Sequence, residues 1–106
     1  MKRGEIWWVN FDPSRLGEIQ KQRPAVIVSN DISNKYLNRV QVVPVTSKVE
    51  KLYPSEAYIV VAGKQGKAMA DQLATVSKQR LLNRIGHVTQ VEIQEIERAI
   101  RTQLEL

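Results

Sequence analysis

Residues 20–30 read QKQRPAVIVSN and residues 43–47 read VPVTS, and these two stretches decide the fold. Each joins an apolar, largely β-branched run to polar residues at one end, which is typical of a strand buried in a sheet. Arg23 precedes the first run and Thr46 follows the second. We therefore predict a small sheet that holds an arginine and a threonine rigidly at one rim.

Outside these two stretches, most of the chain before residue 89 also has the residue composition that is typical of strands. β-Branched and aromatic residues bounded by turn-forming residues indicate short strands. Six strands are predicted: residues 4–10, 24–29, 40–46, 57–61, 67–76 and 85–88. Pro44 predicts an edge position or a bulge for the third strand, because proline lacks the N–H that a central strand needs. Residues 11–22 and 30–38 are predicted loops, the second with at most one helical turn, and Gly63 and Gly66 are predicted to mark the turn after the fourth strand.

The last residues of the chain predict one amphipathic helix. Thr89 and Glu92 fit a capping box, and Val88 and Ile93 occupy the two positions of a hydrophobic staple. Apolar residues then recur at helical spacing, at Ile93, Ile96, Ile100 and Leu104. The predicted fold class is mainly β with a C-terminal helix (α+β), in the form of a small curved barrel or half-barrel of about six short strands.

Length and composition limit the class of protein. A chain of 106 residues is predicted to form one domain, residues 1–106. The sequence has no cysteine, which excludes disulfides, thiolate nucleophiles and cysteine-bound zinc. Its apolar runs are too short for a signal peptide or a membrane span, so we expect a cytoplasmic protein without a membrane partner.

The charge of the chain is unevenly distributed. Residues 1–88 hold 14 Lys/Arg and 7 Asp/Glu, a net charge of +7, whereas residues 89–106 hold 2 and 4, a net charge of −2. A basic body suits a polyanionic partner such as a nucleic acid, because neutralised phosphates release their counterions. Charge alone leaves open whether such a partner is bound.

Few residues of this composition can move protons or hold a metal. His87 is the one histidine, and its position at a strand-to-helix junction predicts a structural role. The acidic residues are scattered without the spacing of metal ligands. We therefore predict neither a metal nor another cofactor.

Arginine, hydroxyl and carboxylate groups remain as candidates for chemistry, and each has two interpretations. Arg23 is either a surface charge or a clamp on phosphate oxygens. Thr46 either closes a turn or acts on the substrate, by donating a hydrogen bond to a phosphate or by orienting the 2′-hydroxyl. Glu18 is a solvated loop carboxylate, a base or the ion-pair partner of Arg23, and Asp71 with Gln72 either faces a groove or ends a strand.

Five blocks of the sequence together resemble the MazF/PemK family of toxin ribonucleases. They are residues 3–7 (RGEIW), 11–13 (FDP), 18–30 (EIQKQRPAVIVSN), 43–47 (VPVTS) and 70–72 (ADQ), in the order and approximate spacing of that family. The resemblance implies an SH3-like or CcdB-like barrel that works as a homodimer and cuts single-stranded RNA without a metal. It also implies an antitoxin protein as the antagonist, which we expect to be acidic. With the ribose 2′-hydroxyl as nucleophile, we expect 2′,3′-cyclic phosphate and 5′-hydroxyl ends.

The resemblance also implies roles for individual residues. In that family the arginine before the second-strand proline and the threonine that closes the third strand are catalytic, which implies catalysis by Arg23 and Thr46. Supporting roles are predicted for Glu18, Ser47 and Asp71. RNA contacts are predicted for Lys21, Gln22, Lys48, Lys51, Gln72, Arg80 and Arg84. Met69 stands where PemK-like members have an arginine, which makes Asp71 a weaker candidate for an acid–base pair.

Two other functions remain open on the sequence. Toxins of the CcdB type share this fold and poison DNA gyrase through a C-terminal Trp-Gly-Ile tail, whereas this chain ends in Gln-Leu-Glu-Leu. The other alternative is a basic nucleic-acid-binding barrel that has no catalytic activity.

Overall fold

The computed structural model describes residues 1–11 and 22–106. That part contains the strands β1 (Glu5–Asn10), β2 (Gln22–Ile27), β3 (Arg39–Thr46), β4 (Glu56–Val61), β5 (Lys64–Met69), β6 (Ala74–Ser77) and β7 (Leu81–His87), and the helices α1 (Asp31–Tyr36) and α2 (Gln90–Leu104). Single 3₁₀ turns at Ala70–Gln72 and Lys78–Arg80 flank β6. The predicted class, mainly β with a C-terminal helix, is confirmed.

The strands form one curled, antiparallel half-barrel in the order β4-β5-β3-β2-β1-β7. β6 lies outside this path and pairs with residues 39–42 of β3, whereas β5 pairs with Val45 and Thr46 at the end of β3. β3 is therefore a central strand whose two halves have different neighbours. Its first half is covered by β6, and its second half leads to Thr46.

The edge position predicted from Pro44 is wrong. β3 pairs with β2 on one side, where Pro44 lies opposite Ala25 without a shift of register. On the other side, pairing with β6 stops at Val42 and pairing with β5 begins at Val45. Pro44 therefore lies at the change from one partner strand to the next, where a missing N–H interrupts neither ladder.

Three other element boundaries differ from the predictions. Residues 67–76 form two strands, because the turn at Ala70–Gln72 redirects the chain from the end of β3 to its start. Residues 30–38 contain the six-residue helix α1, whose N-cap Asn30 accepts a hydrogen bond from a backbone N–H of the first turn. β7 begins at Leu81, earlier than predicted, because several exposed polar residues hide the strand pattern.

Helix α2 packs on one face of the half-barrel. Thr89 and Glu92 form the predicted capping box, in which the Glu92 N–H donates to Thr89 Oγ1 at 3.1 Å and the Thr89 N–H donates to Glu92 Oε1 at 2.8 Å. The core on the α2 side of the sheet includes Ile6, Val26, Val43, Ile59 and Ile96, and the core on the other side includes Val9, Ile27, Val42 and Val76.

Candidate active site

A cleft of about 690 Å³ opens at the end of the half-barrel where β2 begins and β3 ends. Its polar lining consists mainly of residues that the sequence predicted for the site: Gln22, Arg23, Thr46, Ser47 and Lys48. These side chains come from two strands that are adjacent in the sheet. Sheet topology therefore brings together residues that are more than twenty positions apart in the sequence.

Arg23 and Thr46 lie on neighbouring strands, at the same end of the β2–β3 pair. The last paired residues in this direction are Ala25 and Pro44, and continuing the same antiparallel register by two residues places Arg23 opposite Thr46. Residues opposite each other in a sheet have Cβ atoms about 5 Å apart. Both residues are half-buried and line the same cleft. One bound group can therefore contact both side chains.

The guanidinium of Arg23 has no hydrogen-bond or ion-pair partner among residues 1–11 and 22–106. In the same part of the chain, the ammonium groups of Lys48 and Lys64, which line the cleft, also lack a partner. Half-buried arginines usually have an anionic or carbonyl partner. The planar guanidinium of Arg23 is suited to bind two oxygens of a phosphate.

The hydroxyl of Thr46 is oriented by the loop that follows it. The backbone N–H of Lys48 donates to Thr46 Oγ1 at 3.2 Å. The oxygen accepts this bond, so the hydroxyl proton remains available for a group bound in the cleft. Ser47 is exposed beside it and provides a second hydroxyl.

The remaining lining of the cleft is largely apolar. Trp8 and Pro24 are a cross-strand pair of β1 and β2, and they are joined there by Val45, Val61 and Ile85. The Trp8 side chain is 36% exposed. Trp8 is not among the residues that the sequence predicted for the site. The alternation of side chains along β1 could have indicated this role, because it places Trp7 and Trp8 on opposite faces of the sheet. Trp7 packs against the core on the side away from α2, so Trp8 faces the other way.

The hairpin between β4 and β5 contributes further residues that the sequence did not predict for the site, among them Ala62, Lys64 and Gly66. Ala62 and Gly63 have φ values of +51° and +80°, as in a two-residue type I′ turn. Gly66 lies within β5 and not in the turn, contrary to prediction. A Cβ at Gly66 would come within 2.8 Å of Val45 Cγ1, so this position requires glycine.

Other predicted site residues do not line the cleft, namely Lys51, Asp71, Gln72, Arg80 and Arg84. Arg84 Nε lies 3.6 Å from Glu5 Oε2, and Arg80 donates to the carbonyl oxygen of Asn10 at 3.1 Å. Asp71 and Gln72 are exposed in a 3₁₀ turn, where Gln72 Nε2 lies 3.7 Å from Met69 Sδ. Glu18 and Lys21 lie outside the described residues.

An ion pair is buried beneath the loop that follows Thr46. Lys67 Nζ lies 2.9 Å from Glu56 Oε1, and both side chains are almost completely buried. Burial raises the pKa of Glu56, but hydrogen bonds from Lys67 Nζ and the Tyr53 N–H outweigh it, so the pKa lies below its ordinary value. Glu56 is therefore ionised at neutral pH, and its charge is balanced by Lys67.

The described ranges contain no group of three or more His, Asp or Glu residues that could hold a metal ion. His87 lies outside the cleft, with Nδ1 2.6 Å from the carbonyl oxygen of Val88 and with its ring beside Gly4. Within the same ranges, no helix combines the length and the apolar character that are needed to cross a bilayer.

Residues 2–104 match the family of PemK-like, MazF-like toxins of type II toxin–antitoxin systems, and this chain belongs to that family. It is 41% identical to the endoribonuclease MazF9 of Mycobacterium tuberculosis, over 100% of this chain and 98% of that protein. It is 33% identical to the endoribonuclease toxin MazF of Escherichia coli K12, over 92% of this chain and 87% of that protein. Among solved structures, an endoribonuclease in complex with its cognate antitoxin from a mycobacterial species has a TM-score of 0.83 and 25% identity, covering 100% and 96% of the two chains.

Proposed function

We propose that this protein, acting as one domain, is the toxin of a toxin–antitoxin pair and cuts single-stranded RNA in the cleft at Arg23 and Thr46. The observation that carries the proposal is that the half-buried guanidinium of Arg23, which has no partner in the described part of the chain, shares its cleft with the Thr46 hydroxyl. The two relatives described above, at 41% and 33% identity, are endoribonucleases. This agreement favours RNA cleavage over a gyrase-directed toxin and over a barrel without catalysis.

The proposed reaction uses the nucleophile that RNA itself carries. The ribose 2′-oxygen attacks the adjacent phosphorus, the bond from phosphorus to the 5′-oxygen breaks, and a 2′,3′-cyclic phosphate and a 5′-hydroxyl result. The 2′-hydroxyl loses its proton to a base and the 5′-oxygen takes a proton from water, so atoms and charge balance. DNA has no 2′-hydroxyl and is therefore not a substrate.

Arg23 and Thr46 stabilise the phosphoryl group as negative charge develops on its non-bridging oxygens. The Arg23 guanidinium donates two hydrogen bonds to the non-bridging oxygens, which gain negative charge in the transition state. The Thr46 hydroxyl donates a hydrogen bond to the same phosphate, and the Ser47 hydroxyl lies beside it. Lys48 and Lys64 bind flanking phosphates. Trp8 offers an exposed aromatic surface on which an unpaired base can stack.

The base that takes the 2′-hydroxyl proton must come from outside the described lining of the cleft. In the described part of the chain, the lining residues are apolar, amide, hydroxyl or cationic, with no carboxylate and no histidine. We propose Glu18 as the base, because it lies only five positions before Arg23.

Lys21 and Gln22 are proposed phosphate contacts in the same region. Flanking contacts with RNA are assigned to Lys51, Gln72, Arg80 and Arg84, and a supporting structural role to Asp71.

We also propose that the protein works as a homodimer. Among the described strands, β7 lies at the end of the sheet, and its Leu82 is 47% exposed. An apolar residue on an open strand edge favours the addition of a second copy. Sedimentation at micromolar concentration should show about twice the chain mass of 12.1 kDa. A single species at 12.1 kDa would contradict the proposal.

The proposed antagonist is an acidic polypeptide that occupies the cleft. The net charge of +5, and cations of the cleft that have no partner among the described residues, favour association with a flexible polyanion. An endoribonuclease of similar structure forms a complex with its cognate antitoxin. Antitoxin and RNA should then exclude each other, and association should slow as salt rises.

Because the proposed substrate is messenger RNA, we place the activity in the cytoplasm.

Incubation with a defined messenger RNA in excess EDTA tests the proposed function. We expect cleavage at a small set of sites, with 5′-hydroxyl and 2′,3′-cyclic phosphate ends, and no cleavage of DNA of the same sequence. Sequencing of the fragment ends gives the recognised motif. A requirement for added divalent metal, or equal cutting of a 2′-deoxy strand, would contradict the mechanism.

A further inference from the structure

The loop between β3 and β4, residues 47–55, connects the candidate active site to the far edge of the sheet. It begins directly after Thr46 and contributes Ser47 and Lys48 to the cleft. The Lys48 N–H is also the donor that orients Thr46 Oγ1. The conformation of this loop therefore decides where three polar groups of the cleft lie.

Three side chains of β4 and β5 hold the loop backbone at every second residue. Tyr58 Oη donates to the carbonyl oxygen of Val49 at 3.0 Å, Lys67 Nζ donates to that of Lys51 at 2.5 Å, and the Tyr53 N–H donates to Glu56 Oε1 at 2.9 Å. We call Tyr58, Lys67 and Glu56 the loop anchors. Together they fix the backbone from the middle of the loop to its end.

Lys67 is the central loop anchor. It is the cross-strand partner of Thr46, so its side chain starts beside the Thr46 hydroxyl. From there it runs beneath the loop to Glu56 and lies 5.5 Å from the centre of the Tyr53 ring. Lys67 is only 6% exposed and does not line the cleft, so its ammonium group does not contact a bound RNA.

We propose that Lys67 and Glu56 are positioning residues for RNA cleavage, an inference that depends on the proposed function. Replacing a buried ion pair by apolar residues of similar volume often leaves a protein equally stable or more stable. Stability alone therefore does not explain a buried pair beneath this loop. Reacting groups must be held within about 0.5 Å of a productive geometry, and the pair supplies that restraint to Ser47, Lys48 and Thr46.

The test is the double variant Lys67→Met/Glu56→Leu, which removes both charges and leaves no buried charge unpaired. We expect it to fold with a melting temperature near that of the wild type. At saturating RNA its kcat should fall about tenfold or more, while KM changes less than about threefold, because Arg23 and Lys64, two cations of the cleft that lie outside this loop, remain in place. The single variant Glu56→Gln keeps the size of the side chain and should show a smaller loss of kcat.

A matched control is the variant Arg3→Met/Glu97→Leu. Arg3 Nη2 and Glu97 Oε2 lie 2.6 Å apart and join the start of the chain to α2, and neither residue lines the cleft. Loss of this pair should leave kcat unchanged. Amide hydrogen exchange gives a readout that does not depend on activity: the Lys48 and Tyr53 amides should exchange at least about tenfold faster in the Lys67/Glu56 variant, but not in the control.

Each outcome separates the two proposals. An unchanged kcat in the Lys67/Glu56 variant overturns the positioning role, whether or not loop exchange accelerates, and leaves the proposed function intact. A variant that no longer folds, together with a fully active Glu56→Gln variant, assigns the pair to stability alone and also overturns it. A wild-type protein that cuts no RNA overturns the proposed function itself, and the positioning role with it.

Discussion

Two clefts of the described structure have similar volumes, about 690 Å³ at Arg23 and Thr46 and about 600 Å³ between the N-terminus and α1. The second is lined by Met1, Lys2, Asp31, Asn34, Lys35 and Lys78, so it also contains several cations. Volume and the number of basic residues therefore do not distinguish the two clefts. The two clefts differ in whether their charged groups have partners within the described part of the protein.

Most charged groups of the second cleft already have partners within the protein. Lys78 Nζ donates to the carbonyl oxygen of Asn34 at 2.5 Å, and Lys35 Nζ lies 5.3 Å from the centre of the Tyr36 ring. Asp31 adds a carboxylate that would repel a phosphate. The described lining of the first cleft has no carboxylate, and Arg23 has no partner in the described structure. Charged groups without a partner therefore indicate a site better than the total charge of a cleft does.

Substitution of Arg23 should have the largest effect. Arg23→Ala should lower the single-turnover cleavage rate at saturating RNA by about 10²-fold or more, because one preorganised transition-state donor is lost. RNA affinity should fall far less. Arg23→Lys should also be poorly active, since an ammonium group does not reproduce the planar fork. Lys35→Ala in the second cleft is the matched control and should cleave normally. Near-normal turnover of Arg23→Ala would remove Arg23 from the mechanism.

Substitution of Thr46 should have the next largest effect. Thr46→Ala removes the hydroxyl and should slow cleavage by about tenfold, because a neutral hydrogen bond contributes about 0.5–1.5 kcal/mol and each 1.4 kcal/mol is about tenfold in rate. Thr46→Ser keeps the hydroxyl and the acceptor for the Lys48 N–H, so it should retain most of the rate. Equal losses in the two variants would point to packing by the Thr46 methyl group instead of hydrogen bonding.

The sequence was sufficient to predict the elements that have strong local signals. The apolar runs after Arg23 and before Thr46 are β2 and β3, and the capping box at Thr89 marks the start of α2. Because Arg23 and Thr46 lie at the ends of well-patterned strands, the central residues of the candidate site were predicted with the fold. The family resemblance added the expectation that they act together.

The remaining features depend on contacts that local patterns do not show. Pro44 lies at a change of partner strand that only the topology reveals. Lys64 reaches the cleft through the β4–β5 hairpin, which folds back towards β3. Arg80 and Arg84 were predicted RNA contacts because the sequence shows their charge, but it does not show their contacts with the Asn10 carbonyl and with Glu5.

The salt dependence of RNA binding should separate the lysines of the two clefts. Each phosphate contact with single-stranded RNA contributes about 0.7 to the slope of log K against log salt concentration. Lys48→Ala and Lys64→Ala should each reduce the slope by about that amount and weaken binding several-fold. Lys2→Ala and Lys35→Ala should leave the slope unchanged, as measured by fluorescence anisotropy over a series of salt concentrations. The opposite pattern would place the RNA at the second cleft.

Acid stability should show the smallest differences. The pKa of Glu56 lies below its ordinary value of 4.5, so the folded state binds this proton less readily than the unfolded state. The resulting stabilisation is complete above pH 4.5 and is lost as pH falls through the lowered pKa. Glu56→Gln should therefore lose less stability than the wild type does in thermal melts as the pH falls from 7 to about 3. An unchanged pH profile would show that Glu56 is not held by Lys67.

In the second cleft, a hydrogen bond from the Arg3 backbone N–H lowers the pKa of Asp31. The sign of the effect is the same as for Glu56, so stability is again lost in acid. Because Asp31 is exposed, Asp31→Asn should change the acid profile less than Glu56→Gln does, and it should not change cleavage at neutral pH. Impaired cleavage in Asp31→Asn would show that the second cleft takes part in the reaction.

The most direct measurement of where RNA binds is an NMR titration of the ¹⁵N-labelled protein. The ligand is an RNA oligonucleotide spanning the mapped cut site, with a 2′-deoxy substitution at the cleaved nucleotide so that it binds without being cut. We expect saturable shifts of the Arg23 Nε–H and the Lys48 amide, with the Lys35 and Lys78 amides unchanged. An Arg23 resonance that stays in place at saturation, with shifts at Lys35 and Lys78 instead, would contradict it.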